Sequence, residues 1–67
     1  METVEEMRKG RWKATIHRRD DGLMQVELWH WEDIEGAWCQ VSTASSKTDT
    51  LEIARSLAHT LLESRTD

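Results

Sequence analysis

Glycines at positions 10, 22 and 36 divide the first two thirds of this 67-residue chain. Each precedes a run that either alternates polar with apolar residues or is rich in β-branched and aromatic residues, as β-strands are. The chain contains no proline, no repeat and no low-complexity tract. We therefore predict three antiparallel strands, over residues 11–18, 23–32 and 37–44.

A helix is predicted after the strands. Asp49 is expected to cap its first turn while Glu52 reaches back, as in a capping box. The apolar residues that follow recur at intervals of three and four through about residue 63: Leu51, Ala54, Leu57, Ala58, Leu61 and Leu62. Residues 42–50 are read as a polar bend that returns the helix across the sheet.

The predicted fold class is α+β, with a three-stranded antiparallel meander sheet packed on one C-terminal helix (β-β-β-α). Residues 11–67 form this single domain, and residues 1–10 are expected to be a flexible or partly helical leader. A domain of this size buries only about 60% of the surface that its unfolded chain exposes. Its stability alone is therefore marginal, and a second copy or a partner would add to it.

The alternation also predicts the register of the strands. A three-residue loop ending in a left-handed Gly22 would place Ile16 opposite Val26, which keeps apolar residues on one face. The same argument sets Val41 opposite Leu28. It also sets Trp38 opposite Trp31 on the other face.

The predicted sheet has two different faces. The inner face, which the helix must cover, carries Trp12, Ala14, Ile16, Met24, Val26, Leu28, Cys39 and Val41. The outer face carries Arg11, Lys13, Thr15, His17, Gln25, Glu27, Trp29, Trp31, Trp38, Gln40 and Ser42. Three of the four tryptophans thus lie on a face without a covering helix.

Three clustered tryptophans can form an apolar patch as large as the largest on a typical monomer. We interpret this face as an interface with another protein or a second copy, since Trp and Arg commonly anchor such contacts. The predicted contacts form two rows across the sheet: Trp38, Trp31 and Arg11, then Gln40, Trp29 and Lys13. The alternative is purely structural, with Arg11 and Lys13 covering Trp31 and Trp29 as cation–π partners.

Nucleic-acid binding is the other functional reading, because aromatic rings beside basic residues can stack bases. The segment from Trp12 to Ile16 resembles the W-x-A-x-I stretch of AP2-type DNA-binding domains, which, like integrase arm-binding domains, have three strands followed by a helix. The resemblance implies a sheet laid in the major groove, with Arg11, Lys13 and Trp29 as contacts. Those families are basic, whereas this chain has a net charge of −4 and Glu27 in mid-sheet. Protein association therefore remains the first interpretation.

The sequence gives little support for catalysis. His30 and Cys39 are expected opposite each other on the inner face, but a third ligand or partner is missing, so we predict no catalytic site, metal or cofactor. No small-molecule substrate is expected. The single cysteine favours a reducing, cytoplasmic location. No apolar run approaches the roughly 20 residues that cross a membrane.

Overall fold

The computed structural model describes residues 2–41 and 46–65. Their elements are β1 (Glu2–Lys9), β2 (Trp12–Arg18), β3 (Met24–Glu32), β4 (Ala37–Gln40), β5 (Ser46–Thr48) and α1 (Leu51–Glu63). The strands form one antiparallel sheet in the order β1-β2-β3-β4, and β5 also pairs with β3. The α+β class, with a sheet packed on one C-terminal helix, is confirmed.

The sheet has two strands beyond the predicted three, β1 and β5. Residues 2–9, expected to be a flexible or partly helical leader, form β1 and pair with β2. The pairing shifts register between Thr3 and Glu5, so Val4 is an extra residue in a bulge. Val4 and Met7 both pack against the core. Their spacing of three is a helical spacing, and only the bulge makes it compatible with a strand.

The predicted pairing of the central strands is confirmed. Ile16 lies opposite Val26 and Trp31 lies opposite Trp38. Gly22 has a φ of 87°, which the three-residue loop requires. The backbone N–H of Val41 donates to the carbonyl of Leu28 at 2.8 Å, in agreement with the predicted register.

Two boundaries differ from the prediction near the helix. β4 ends at Gln40, and residues 42–44 of the predicted third strand lie outside the described residues. Within the predicted bend, Ser46–Thr48 pairs with β3 as β5. The helix is capped by Thr50 and not by Asp49: the Thr50 hydroxyl accepts a hydrogen bond from the Ile53 N–H at 3.2 Å. Because β5 extends to Thr48, Thr50 is the residue that takes the extended conformation directly before the helix.

The core lies between α1 and the inner face of β2 and β3. Its fully buried residues include Ile16, Val26 and Leu28 from the sheet and Ala54 and Ala58 from the helix. The small helical side chains allow a close approach to the larger strand residues. The helix therefore covers the inner face, and the outer face is left to its own side chains.

Candidate binding surface

The three outer tryptophans lie next to one another on β3 and β4. Trp31 is directly opposite Trp38, and Trp29 lies between Lys13 on β2 and Gln40 on β4. The backbone N–H of Trp31 donates to the carbonyl of Arg11 at 2.9 Å, so the residues of both predicted rows occupy the expected positions in the sheet. We use the term tryptophan face for this surface, which consists of Trp29, Trp31, Trp38, Arg8, Arg11, Lys13 and Gln40.

Two of the three rings pack directly against each other. Trp31 and Trp38 meet edge to face, with ring centroids 5.5 Å apart and an interplanar angle of 73°. This is a preferred aromatic geometry. All three outer tryptophans are half-buried, although none of the described elements packs over them.

Two cations lie over the rings. The Lys13 ammonium is 4.6 Å from the ring centroid of Trp38 and 5.5 Å from that of Trp29. The Arg8 guanidinium is 5.4 Å from the Trp38 centroid. Arg8 was not among the predicted site residues because β1 was read as a leader. Such contacts contribute about 0.5–1 kcal/mol each at exposed sites, so a ligand can displace these side chains at low cost.

Arg11 lies in the turn after β1, where its side chain connects the two turns at this end of the sheet. Its Nη1 atom is 2.6 Å from Oδ2 of Asp33, in the β3–β4 turn. The other Asp33 oxygen accepts a hydrogen bond from the Trp31 indole N–H at 2.9 Å. The Arg11 hydrogen bond is the main reason why the pKa of Asp33 lies below its ordinary value. These contacts fix the orientation of the Trp31 ring.

A polar network on the outer face adjoins the tryptophans. The Trp29 indole N–H donates to the Thr15 hydroxyl at 2.9 Å. His17 Nε2 lies 3.0 Å from the same hydroxyl and 2.9 Å from a carboxylate oxygen of Glu27. The other ring nitrogen of His17 is 3.0 Å from the Thr3 hydroxyl. Thr15 and Glu27 are buried, so the carboxylate in mid-sheet faces His17 and not the solvent.

The inner-face pair His30 and Cys39 has the predicted register, but each of the two side chains contacts a glutamate. The Cys39 thiol donates to a Glu35 carboxylate oxygen at 3.6 Å, and His30 Nδ1 lies 2.9 Å from Glu32. Burial, followed by the charge of Glu35, raises the pKa of Cys39, whereas a nucleophilic cysteine needs a lowered pKa. Among residues 2–41 and 46–65, no three potential ligands are grouped to hold a metal ion.

One apolar side chain stands out at the edge of the surface. Ile34, at the tip of the β3–β4 turn, is fully exposed, with a relative accessibility of 101%. It follows Asp33, which is bonded to both Arg11 and Trp31. Sequence periodicity gave no signal for it because it lies outside any strand.

Comparison with known proteins identifies no relative: no family model, curated protein or solved structure matches the chain. Within the described residues, no helix has the length and apolar character needed to span a membrane. The function must therefore be inferred from the surface itself.

Proposed function

We propose that this protein is a small, non-enzymatic, cytoplasmic interaction module that binds a protein partner, either a second copy or another chain, through its tryptophan face. The observation that carries the proposal is the clustering of Trp29, Trp31 and Trp38 on a sheet face without a covering element among the described residues. Apolar aromatic area of this kind is concentrated at the centres of protein interfaces. The single Cys39, a free thiol, supports the cytoplasmic location.

The contacts of the face suit reversible association. Trp29 and Trp31 have their indole N–H groups bonded within the chain, so their rings are held in place before a partner arrives. A pre-ordered surface loses less side-chain entropy on binding. Lys13 and Arg8 cover part of the rings in the free protein. Lys13 is placed to meet a carboxylate of a partner, whereas Arg8 already binds Glu6 on its own strand at 2.9 Å.

The experiment compares partner binding by the wild-type chain with that of Trp31→Ala and Trp38→Ala. Self-association is measured by sedimentation velocity. Other partners are measured by affinity capture from the cells that produce the protein. Ile53→Ser is the matched control, since Ile53 is an exposed apolar residue on α1, far from the face. We expect both Trp variants to lose binding and the control to retain it.

Folding must be separated from binding in this experiment. Leu28→Ala should cost about 2–5 kcal/mol, because Leu28 is fully buried in the core. Trp38→Ala should cost clearly less, since its ring is only half-buried. The proposal fails if both Trp variants fold normally and bind every partner as the wild type does.

Nucleic acid is the second candidate ligand for this face, and one observation favours it. Lys13 lies over two tryptophan rings and forms no ion pair with a carboxylate of the described residues. Glu27, the main objection from the sequence, is buried against His17. A base could replace the ammonium on a ring while Lys13 moves to a phosphate.

A titration of labelled single-stranded oligonucleotides distinguishes the two ligands. If the face binds nucleic acid, Lys13→Glu should weaken binding and reduce the slope of log K against log salt by at least about 1. Gln25→Glu is the control, because it adds a negative charge on the same sheet face, in the row of His17. Absence of binding at low salt would exclude this candidate.

A further inference from the structure

Strand β1 forms one edge of the sheet. It pairs with β2 on one side, and no described strand pairs with its other side. An eight-residue edge with unpaired N–H and C=O groups is a template for another strand. Proteins usually protect such edges, and the bulge at Val4 does so near the start of β1. Residues 5–9 pair regularly and remain open.

The turn after β1 determines which backbone groups face outward. Gly10 and Arg11 form a two-residue loop, and Gly10 has a φ of 58°, as the first position of a type II′ turn requires. In such a hairpin the closing pair, Lys9 and Trp12, is hydrogen-bonded, and alternate pairs follow it. The N–H and C=O groups of Met7 therefore face β2. Those of Glu6 and Arg8 point to the open edge.

The order of charges along this edge is complementary to the same sequence running in the opposite direction. Residues 5–9 read Glu, Glu, Met, Arg, Lys. When two copies of this segment run antiparallel with Met7 at the centre, Glu6 lies opposite Arg8 of the partner subunit. Glu5 then lies opposite Lys9 of the partner subunit. Both pairs occur twice because of the two-fold symmetry, and each cross-strand pair of opposite charge is stabilising.

We propose that two copies of this chain pair through β1, antiparallel and centred on Met7, to form one continuous sheet. Glu6 and Arg8 of each copy would exchange backbone hydrogen bonds across the axis, which agrees with the outward direction of their N–H and C=O groups. Met7 would meet the Met7 of the partner subunit. In the single chain this side chain is only half-buried at the margin of the core.

The charge order also selects this register over its neighbours. A shift of two residues in one direction places Glu6 opposite Glu6 of the partner subunit, and in the other direction Arg8 opposite Arg8 of the partner subunit. A shift of one residue places Met7, whose N–H and C=O groups face β2, opposite a residue of the partner subunit whose groups face outward, so the backbone hydrogen bonds cannot be exchanged. A parallel, in-register pair would bring every charge against itself. Only the antiparallel register centred on Met7 pairs all four charges favourably.

Three ion pairs within the chain already involve these residues. On the inner side of β1, Glu5 binds Arg55 at 2.9 Å and Lys9 lies 3.7 Å from Glu63, both on α1, so these pairs compete with the Glu5–Lys9 contact between subunits. The Glu6–Arg8 contact therefore contributes most to the choice of register. Arg8 binds Glu6 on its own strand at 2.9 Å, but both side chains are exposed and such surface pairs are weak.

Pairing through β1 leaves the tryptophan face uncovered and places both copies of it on the same side of the sheet. The inference is separate from the proposed function except at Arg8, which also lies over the Trp38 ring, so Glu6→Lys is the variant that tests β1 without replacing a residue of the tryptophan face. A dimer of this kind would make that face bivalent.

Sedimentation velocity on wild type and charge-reversal variants tests the proposal. The wild type should sediment as a dimer of the 7.8 kDa chain, with a concentration-dependent monomer fraction. Glu6→Lys and Arg8→Glu should each raise the dissociation constant of the dimer at least about tenfold. In either variant, both symmetry-related pairs between positions 6 and 8 become like-charged. An equimolar mixture of the two variants should form a heterodimer, and the double variant E6K/R8E should dimerise again. Circular dichroism verifies that all variants are folded.

A cross-link tests the register. Directly opposite residues of a non-hydrogen-bonded antiparallel pair lie about 4.5 Å apart at Cα, within the range of a disulfide. In a Cys39→Ser background, Met7→Cys should therefore form an intermolecular disulfide under mild oxidation. Thr3→Cys, on the same strand before the bulge, should do so much more slowly.

Several results would overturn the inference. These are a wild type that stays monomeric at submillimolar concentration, charge variants that dimerise like the wild type, or no recovery in the mixture. If Trp38→Ala abolishes dimerisation while the charge variants do not, the second copy lies on the tryptophan face. That outcome would reject the β1 dimer and support the proposed function.

Discussion

His17 Nε2 lies 2.9 Å from Oε1 of Glu27, and both side chains are nearly buried on the sheet face that no described helix covers. The two residues are diagonal neighbours, since His17 lies opposite Gln25 and Glu27 lies opposite Thr15. The Thr15 hydroxyl, 3.0 Å from His17, also accepts the indole N–H of Trp29. Through Thr15, the His17–Glu27 pair is thus connected to Trp29, the tryptophan nearest to it.

Glu27→Ala should destabilise the domain by about 1–3 kcal/mol, the usual cost when a buried polar group loses its partner. His17 Nε2 would lose the carboxylate and keep only the Thr15 hydroxyl, 3.0 Å away, which already accepts the Trp29 indole N–H. The free energy of unfolding is measured by urea denaturation followed by circular dichroism.

Glu2→Ala is the matched control for this effect. Glu2 also forms an ion pair, with Arg18 at 3.5 Å, but both side chains are exposed. An exposed pair contributes about 0–1 kcal/mol. Equal losses for Glu27→Ala and Glu2→Ala would mean that the His17–Glu27 contact does not stabilise the fold.

Thr50→Ala should destabilise the helix by about 1 kcal/mol, because the Thr50 hydroxyl accepts the Ile53 N–H. Thr50→Ser keeps the oxygen and should unfold at nearly the wild-type temperature. Asp49→Ala should cost less than Thr50→Ala, since Asp49 contributes only its charge near the helix N-terminus. Thermal unfolding of the three variants measures this order, and a larger loss for Asp49→Ala would restore Asp49 as the cap.

Alternation and loop length predicted much of the fold. The pairing of Ile16 with Val26 and of Trp31 with Trp38 followed from keeping apolar residues on one face. Helical periodicity predicted α1 and its end at Glu63. Both signals depend on spacing within a single element, and the sequence carries that information directly.

Features that depend on irregular or long-range geometry were missed. The bulge at Val4 interrupts the alternation of β1, so the segment carries no regular strand pattern in its sequence. Asp49 and Thr50 are both good cap residues, and the end of β5 at Thr48 decides between them. Arg8 reaches Trp38 from three strands away, a contact that requires the full order of the sheet.

Acidification should release the Trp31 indole from Asp33. The Arg11 hydrogen bond holds the pKa of Asp33 below its ordinary value of 3.8. A carboxyl group whose pKa is lowered by folding stabilises the folded state at pH values above the pKa that the group has in the unfolded chain. This contribution is lost as the pH falls through the folded pKa, so the transition should lie below pH 3.8.

The Trp31 indole N–H resonance in a ¹H–¹⁵N spectrum measures this transition, because that group donates to Asp33 Oδ1. Its chemical shift should change with a midpoint below 3.8. Asp33→Asn should abolish the titration of this resonance. The Trp29 indole, which donates to Thr15, should not follow the Asp33 midpoint. A common midpoint for both indoles would indicate global unfolding instead.

The Cys39 thiol should react with iodoacetamide more slowly than a free cysteine, although its side chain is only half-buried. Burial raises its pKa, and the negative charges of Glu35 and Glu32 and the hydrogen bond to Glu35 raise it further. The thiolate is the reactive form, so at pH 8 less of it is present than in a free cysteine. The midpoint of the rate–pH profile should therefore lie above 9.0, the ordinary value.

Glu35→Gln should move this midpoint down and increase the alkylation rate at pH 8. The substitution removes the charge and replaces the carboxylate that accepts from the Cys39 Sγ at 3.6 Å. Glu52→Gln, on the exposed side of α1, should leave the rate unchanged. If both variants alkylate at the wild-type rate, Glu35 does not control the thiol. Burial would then be the main cause of the raised pKa of this thiol.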